Sequence, residues 1–109
     1  MNVLFVCSKN RWRSRTAETI FRDSITHNIK SAGTDKDARI KLTDKHIVWA
    51  DIIFVMENKH RQMIKQKFGA NVGSNKIIVL DIPDNYKYMD EELILSIKTA
   101  VLPYLGNVI

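Results

Sequence analysis

Three short runs of apolar, largely β-branched residues restrict the architecture open to this chain: Val3–Val6, Ile52–Met56 and Lys76–Leu80. Each is too short for a stable helix, and none alternates apolar with polar residues, so a strand made from it is apolar on both faces. Such strands need cover on both faces, as parallel strands flanked by helices have. Stretches with helical spacing lie between them. Ser14–Thr26 sets Ala17, Ile20, Phe21 and Ile25 along one face; Leu42–Trp49 carries Leu42, Ile47, Val48 and Trp49, with Thr43 as a cap. Glu57–Phe68 presents Met63, Ile64 and Phe68 and ends at Gly69. Asp90–Leu102 starts from an N-cap aspartate, has Glu91 and Glu92 in its first turn, and is expected to stop at Pro103. Ile29–Ala32 adds a short strand before Gly33. The alternation predicts an α/β fold: a single three-layer α/β/α domain over residues 1–109 around a mostly parallel four-stranded sheet.

A chain of 109 residues supports one modest core. Its 45% hydrophobic and 27% charged content is that of an ordinary globular protein. No run approaches the length of a membrane span, and the start lacks the basic-then-apolar pattern of a secretion signal. A lone cysteine, Cys7, has no internal disulfide partner and keeps its reactivity best under reducing conditions, so a cytoplasmic location is expected. Oligomeric state leaves no mark on the sequence.

Cys7 stands where the first apolar run ends. Five residues later comes Arg13, then Ser14, then the first helical pattern. A loop of this length between a strand and a helix curls its backbone N–H groups around one point, where a tetrahedral oxyanion fits. A sulfur at that point is surrounded by donors that stabilise negative charge, and the positive end of the following helix faces it. Arg13 offers a planar fork for two phosphate oxygens. Ser14 suits both the N-cap and a hydrogen bond to the sulfur. The expected anion-binding set is Ser8, Lys9, Asn10, Arg11, Trp12, Arg13 and Ser14 around the nucleophile Cys7. The competing reading makes Cys7 an ordinary buried residue and the arginines a solvated face.

The net charge of +5 fits the same picture, because Lys9, Arg11, Arg13 and Arg15 cluster around the expected anion site. Such a funnel draws phosphorylated, acidic substrates. Nucleic acid is an unfavoured partner: beyond Trp12 no basic stretch is interleaved with stacking aromatics, and no nucleic-acid module is present.

The segment Val6-Cys7-x-x-Asn10-x-x-Arg13-Ser14-x-x-Ala17-Glu18 resembles the signature of the low-molecular-weight protein tyrosine phosphatases. Further similarity follows in the family's order at Ser31-Ala32-Gly33-Thr34, at Ala50–Met56 and at Asp81-Ile82-Pro83-Asp84-Asn85-Tyr86, the last resembling the family's Asp-Pro-Tyr acid loop. The resemblance implies Cys7 as nucleophile, Arg13 as phosphate ligand, Asn10 and Ser14 as loop supports, and Asp84 as general acid and base, with Asp81 as its rival. It implies hydrolysis of a phosphomonoester, foremost protein phosphotyrosine, through a cysteinyl-phosphate. The chain departs from the family where Lys9 replaces a glycine, Trp12 a second cysteine and Asn85 a proline, and where the segment between Thr34 and Ala50 is shortened.

In open parallel sheets ligands bind beyond the carboxyl ends of the strands. Cys7 follows the first strand and Asp81–Asp84 the last, so topology predicts that they meet at one edge. The chemistry calls for no cofactor and no metal, and no His, Cys or Asp cluster has ligand spacing. His27, His46 and His60 are expected at the surface or in packing roles, Met56-Glu57 in a structural one, and Trp49 in the core. Tyr86 and Tyr88 either flank the substrate ring or sit as exposed loop residues. The partner is a phosphorylated protein or a small phosphoester. Two alternatives share the anion loop: a non-catalytic phosphate-binding module, and an arsenate reductase borrowing an external thiol.

Overall fold

The computed structural model describes residues 1–73 and 76–106. Four strands, β1 (Asn2–Cys7), β2 (Asn28–Gly33), β3 (Ile52–Val55) and β4 (Ile77–Val79), alternate with four helices, α1 (Arg13–Phe21), α2 (Asp44–Trp49), α3 (Asn58–Phe68) and α4 (Glu91–Leu105). All strand pairings are parallel and the order is β2-β1-β3-β4. The α/β class and the three layers expected from the sequence are thus present.

Side-chain alternation along β1 builds both cores. Val3, Phe5 and Cys7 face Ala17 and Phe21 of α1 and Leu93, Ile97 and Val101 of α4. Leu4 and Val6 face Ile47 of α2 and Ile64 and Phe68 of α3. Because β1 is apolar on both sides and central, it is the strand that must be covered twice. From β1 the chain first crosses to β2 on one side and then returns to β3 on the other. This reversal opens a crevice at the carboxyl end of β1, where Cys7 pairs with Gly33 of β2 and Val6 with Val55 of β3.

Several boundaries differ from expectation, three of them in α1 and α4. Helix α1 stops at Phe21, not Thr26, because the Ser24 hydroxyl accepts from the N–H groups of Thr26 and His27 and forms a turn in place of another helical turn. It also starts at Arg13, with Trp12 in the N-cap position, so Ser14 is not the cap. Helix α4 runs through Pro103 to Leu105, whose side chain is buried in the core. The missing N–H of Pro103 affects only the last turn, and Gly106 closes it at φ 69° with its N–H on the Leu102 carbonyl. Among the described residues no helix is long and apolar enough to cross a membrane.

Candidate active site

Cys7 is 4% exposed at the bottom of the β1–α1 loop. Its Sγ accepts the Asn10 backbone N–H at 3.2 Å and lies 2.9 Å from Ser14 Oγ. The direction of the second bond follows from donor counting. Asn10 Nδ2 donates to Ser14 Oγ at 2.7 Å and to Ser31 Oγ at 2.9 Å, so the Ser14 hydroxyl is free to donate its one hydrogen, for which the sulfur at 2.9 Å competes with the more distant Ala32 carbonyl at 3.4 Å. Among the described residues, the backbone N–H groups of Ser8, Lys9, Arg11, Trp12 and Arg13 have no acceptor in the protein. A loop with this many open donors at a helix N-terminus is built for an oxyanion.

The loop is held from below by residues distant in sequence. Asn10 adopts a left-handed φ of 57°, and its carbonyl accepts Arg39 Nε at 2.9 Å. Ser31 passes its hydroxyl hydrogen to Glu18, and Glu18 in turn lies 3.7 Å from Arg39 Nη2. The network therefore returns to Asn10, joining β2, α1 and the loop after β2. Gly33 comes so close beneath the loop that a Cβ there would lie 2.5 Å from the Ser8 carbonyl oxygen. Lys9, which replaces the family's glycine, points away to Asp37, with both carboxylate oxygens at 2.9 Å, and to Asp35 at 3.3 Å. These carboxylates raise the lysine pKa, and the lysine holds Asp37 below the usual carboxylate range.

Arg13 is 2% exposed. Its Nη1 donates to Glu57 Oε2 at 2.6 Å and to the Ile82 carbonyl at 2.8 Å. This leaves the Nε–Nη2 edge without a protein hydrogen bond among the described residues, with Asp84 Oδ1 3.7 Å from Nε. The hydrogen bond from Arg13 lowers the Glu57 pKa, so the clamp is a true ion pair at neutral pH. Glu57 is the N-cap residue of α3, and three residues on stands His60. His60 is buried, accepts the Glu57 N–H at Nδ1 (3.1 Å) and meets Ser8 Oγ at Nε2 (2.9 Å). With Nδ1 accepting, Nε2 carries the hydrogen and donates it to Ser8. Burial and the nearby Arg13 charge push the His60 pKa down to about 4, which keeps the ring neutral. One turn of α3 thus grips both ends of the loop.

A cavity of about 260 Å³ opens above the sulfur, lined by Cys7, Ser8, Lys9, Arg11, Trp12, Arg13 and Asp84. Asn10 and Ser14, also named as anion ligands from the sequence, lie fully buried beneath it and act on its floor. Asp84 is at the rim, its carboxylate 56% exposed. Asp81 instead lines a separate groove against Leu95 and Thr99 of α4. Neither Tyr86 nor Tyr88 lines the cavity: Tyr86 packs on the core, and the Tyr88 hydroxyl bonds Thr19 Oγ1 at 2.8 Å. Among the described residues no His, Cys, Asp and Glu cluster suits a metal.

Sequence reasoning missed Glu57, His60 and Arg39. The sequence assigns Glu57 a structural role and His60 a place at the surface or in packing; His60 is indeed buried, and what was missed is that both residues hold the loop. The available signal was an acidic residue at the end of a buried strand followed three residues later by a histidine, at the sheet edge that already carried Cys7. His46 and His27 fit the expectation better: His46 receives the Thr43 N–H at α2, and His27 lies beside the N-terminus.

Residues 2–47 match the family described as low molecular weight phosphotyrosine protein phosphatase. A curated protein-arginine-phosphatase of Bacillus subtilis (strain 168) is 29% identical, the match covering 63% of this chain and 64% of that protein. The chain therefore spans under two thirds of that relative's length. Among solved structures, low-molecular-weight protein tyrosine phosphatase SP-PTP from Streptococcus pyogenes superposes with a TM-score of 0.78 at 18% identity, covering 99% of this chain and 93% of that one. The tyrosine phosphatase Wzb from Escherichia coli K30, in complex with phosphate, gives 0.72 at 22% identity, covering 94% of each chain. The YwlE arginine phosphatase from Geobacillus stearothermophilus gives 0.70 at 22% identity, covering 91% of this chain and 84% of that one. At these identities the superpositions establish the fold.

Proposed function

From the match of residues 2–47 to the low molecular weight phosphotyrosine protein phosphatase family, we propose that the chain is a member of that family and hydrolyses phosphomonoesters, protein phosphotyrosine foremost, through a cysteinyl-phosphate on Cys7. The observation that carries this reading is the sulfur itself. It accepts from Asn10 N–H and Ser14 Oγ at the centre of a loop whose remaining amides are open, below a cavity that also holds Arg13 and Asp84.

In the first step the Cys7 thiolate attacks phosphorus in line as the bond to the leaving oxygen breaks. Asp84, as carboxylic acid, gives that oxygen its proton. Arg13 and the loop N–H groups from Ser8 to Arg13 stabilise the charge on the equatorial oxygens, and their fixed positions spare reorganisation during reaction. In the second step the Asp84 carboxylate takes a proton from water. The water oxygen attacks phosphorus, the sulfur–phosphorus bond breaks and inorganic phosphate leaves. The Ser14 hydrogen bond steadies the departing thiolate. Asp84 lines the cavity above the sulfur and Asp81 lines another groove, which supports Asp84 over Asp81 as the acid.

Phosphoarginine is the second candidate substrate, favoured by the arginine-phosphatase relatives. Cleavage of its phosphorus–nitrogen bond with protonation of the nitrogen would release a guanidinium beside Arg11, a cation in the cavity wall. That repulsion favours the oxygen ester. The test is p-nitrophenyl phosphate hydrolysis from mildly acid to neutral pH, with chelator, for the wild type beside Cys7→Ser. Activity lost only in the variant supports the phosphatase; a folded wild type that binds phosphate without turnover makes the loop a recognition module. Phosphotyrosine and phosphoarginine peptides, compared by phosphate release, then rank the substrates.

A further inference from the structure

The cavity takes six of its seven lining residues from the Cys7–Arg13 loop. Within the cavity, contacts to the substrate beyond its phosphate come from this loop or from Asp84. Elimination narrows the choice. Cys7 is on the floor, Ser8 is held by His60, Lys9 is turned to Asp35 and Asp37, and Arg13 is buried in its clamp. Arg11 and Trp12 remain as long side chains at the rim, and only Trp12 offers a flat apolar face. It is 44% exposed, although tryptophan has the largest apolar area to hide. The two tyrosines of the acid loop are committed elsewhere: Tyr86 to the core, and Tyr88 to Thr19 and to the Arg15 guanidinium, 4.3 Å from its ring centroid.

We infer that Trp12 is the specificity-determining surface of the site, the face on which the ring of an aryl phosphate seats while its phosphate occupies the loop. This rests on the phosphatase reading of the cavity and adds how an aryl ester is told from an alkyl one. Trp12 has an open backbone N–H in the loop and a half-exposed side chain, and it lines the cavity, so one residue can serve both the phosphate and the leaving group. The volume of about 260 Å³ holds more than a phosphate, and Trp12 is the one aromatic residue among those that line it.

The test uses two non-hydrolysable probes, phenylphosphonate and methylphosphonate, which differ only in what meets the wall. Calorimetry on the wild type should give the phenyl compound about three- to tenfold tighter binding, the range expected of one aromatic contact. Trp12→Ala should reduce that ratio to about one, and Trp12→Phe should restore most of it. In a Trp49→Phe protein, where Trp12 is the sole tryptophan, phenylphosphonate should shift the emission and methylphosphonate should leave it in place. A ratio unchanged in Trp12→Ala, or an emission equally affected by both probes, overturns the inference while leaving the phosphate site intact. Failure of the wild type to bind either probe or inorganic phosphate overturns the site reading as well.

Discussion

Arg13 and Glu57 are 44 residues apart in sequence and 2.6 Å apart in space, and this pair decides which edge of the guanidinium faces the cavity. Glu57 holds Nη1 from the rear, jointly with the Ile82 carbonyl, so the opposite edge is presented to an anion. Without that carboxylate the buried guanidinium would keep only the Ile82 carbonyl on Nη1 and the more distant, exposed Asp84 as its counter-charge.

Glu57→Gln keeps the shape and removes the charge. It should lower stability by roughly 1–3 kcal/mol and reduce kcat/KM for p-nitrophenyl phosphate by about tenfold or more, since the proposed reaction places Arg13 on the transition state. Urea denaturation and steady-state kinetics on the same preparation measure both effects. Unchanged kinetics beside a stability loss would limit Glu57 to a purely structural role.

His60 links activity-site geometry to pH. Its folded pKa of about 4 lies below the ordinary value of 6.5, so the unfolded chain binds more protons between those limits. Stability is therefore full above about 6.5 and falls as pH drops toward 4, by at most about 3 kcal/mol. The urea midpoint of the wild type should fall over this window more steeply than that of His60→Gln. Parallel pH profiles would show that His60 does not carry the effect.

Asp84 at the rim and Asp81 in a separate groove make opposite forecasts. Asp84→Asn should slow phenyl phosphate, with its poor leaving group, about tenfold more than p-nitrophenyl phosphate. Asp81→Asn should slow the two alike, if at all. A leaving-group dependence that follows Asp81 instead would move the acid role there.

Gly33 has no space for a side chain. A Cβ would stand 2.5 Å from the Ser8 carbonyl oxygen, 2.6 Å from the Ala38 Cβ and 3.0 Å from the Asn10 nitrogen, two of the three being backbone atoms of the phosphate loop. Gly33→Ala should displace the loop, cost about 1–3 kcal/mol and weaken phosphate binding by at least tenfold. Phosphate titration by calorimetry, paired with a thermal melt, separates the two effects. Wild-type phosphate affinity in the variant would show that the loop tolerates the shift.

What the sequence determined by itself was local. An apolar run ending in Cys7, five residues, Arg13 and Ser14 amount to a strand, a turn of donors and a helix start, and short-range backbone sterics and hydrogen bonding decide such a unit. The two-sided apolar strands likewise demanded a covered parallel sheet, and the family signature gave Asn10 and Asp84 their expected places. Ser14 was legible as a residue of the site but misread as the helix cap, because its hydroxyl turns inward to Cys7 Sγ, Asn10 Nδ2 and the Ala32 carbonyl, the last brought there only by β2. Glu57, His60 and Arg39 carried no such local mark. Periodicity states that β3 is buried but not that it lies beside β1, and only the order β2-β1-β3-β4 brings the start of α3 to the loop. Tertiary structure decided these partners because charge pairing and hydrogen bonding act through space over a few ångströms, at distances that chain separation does not encode.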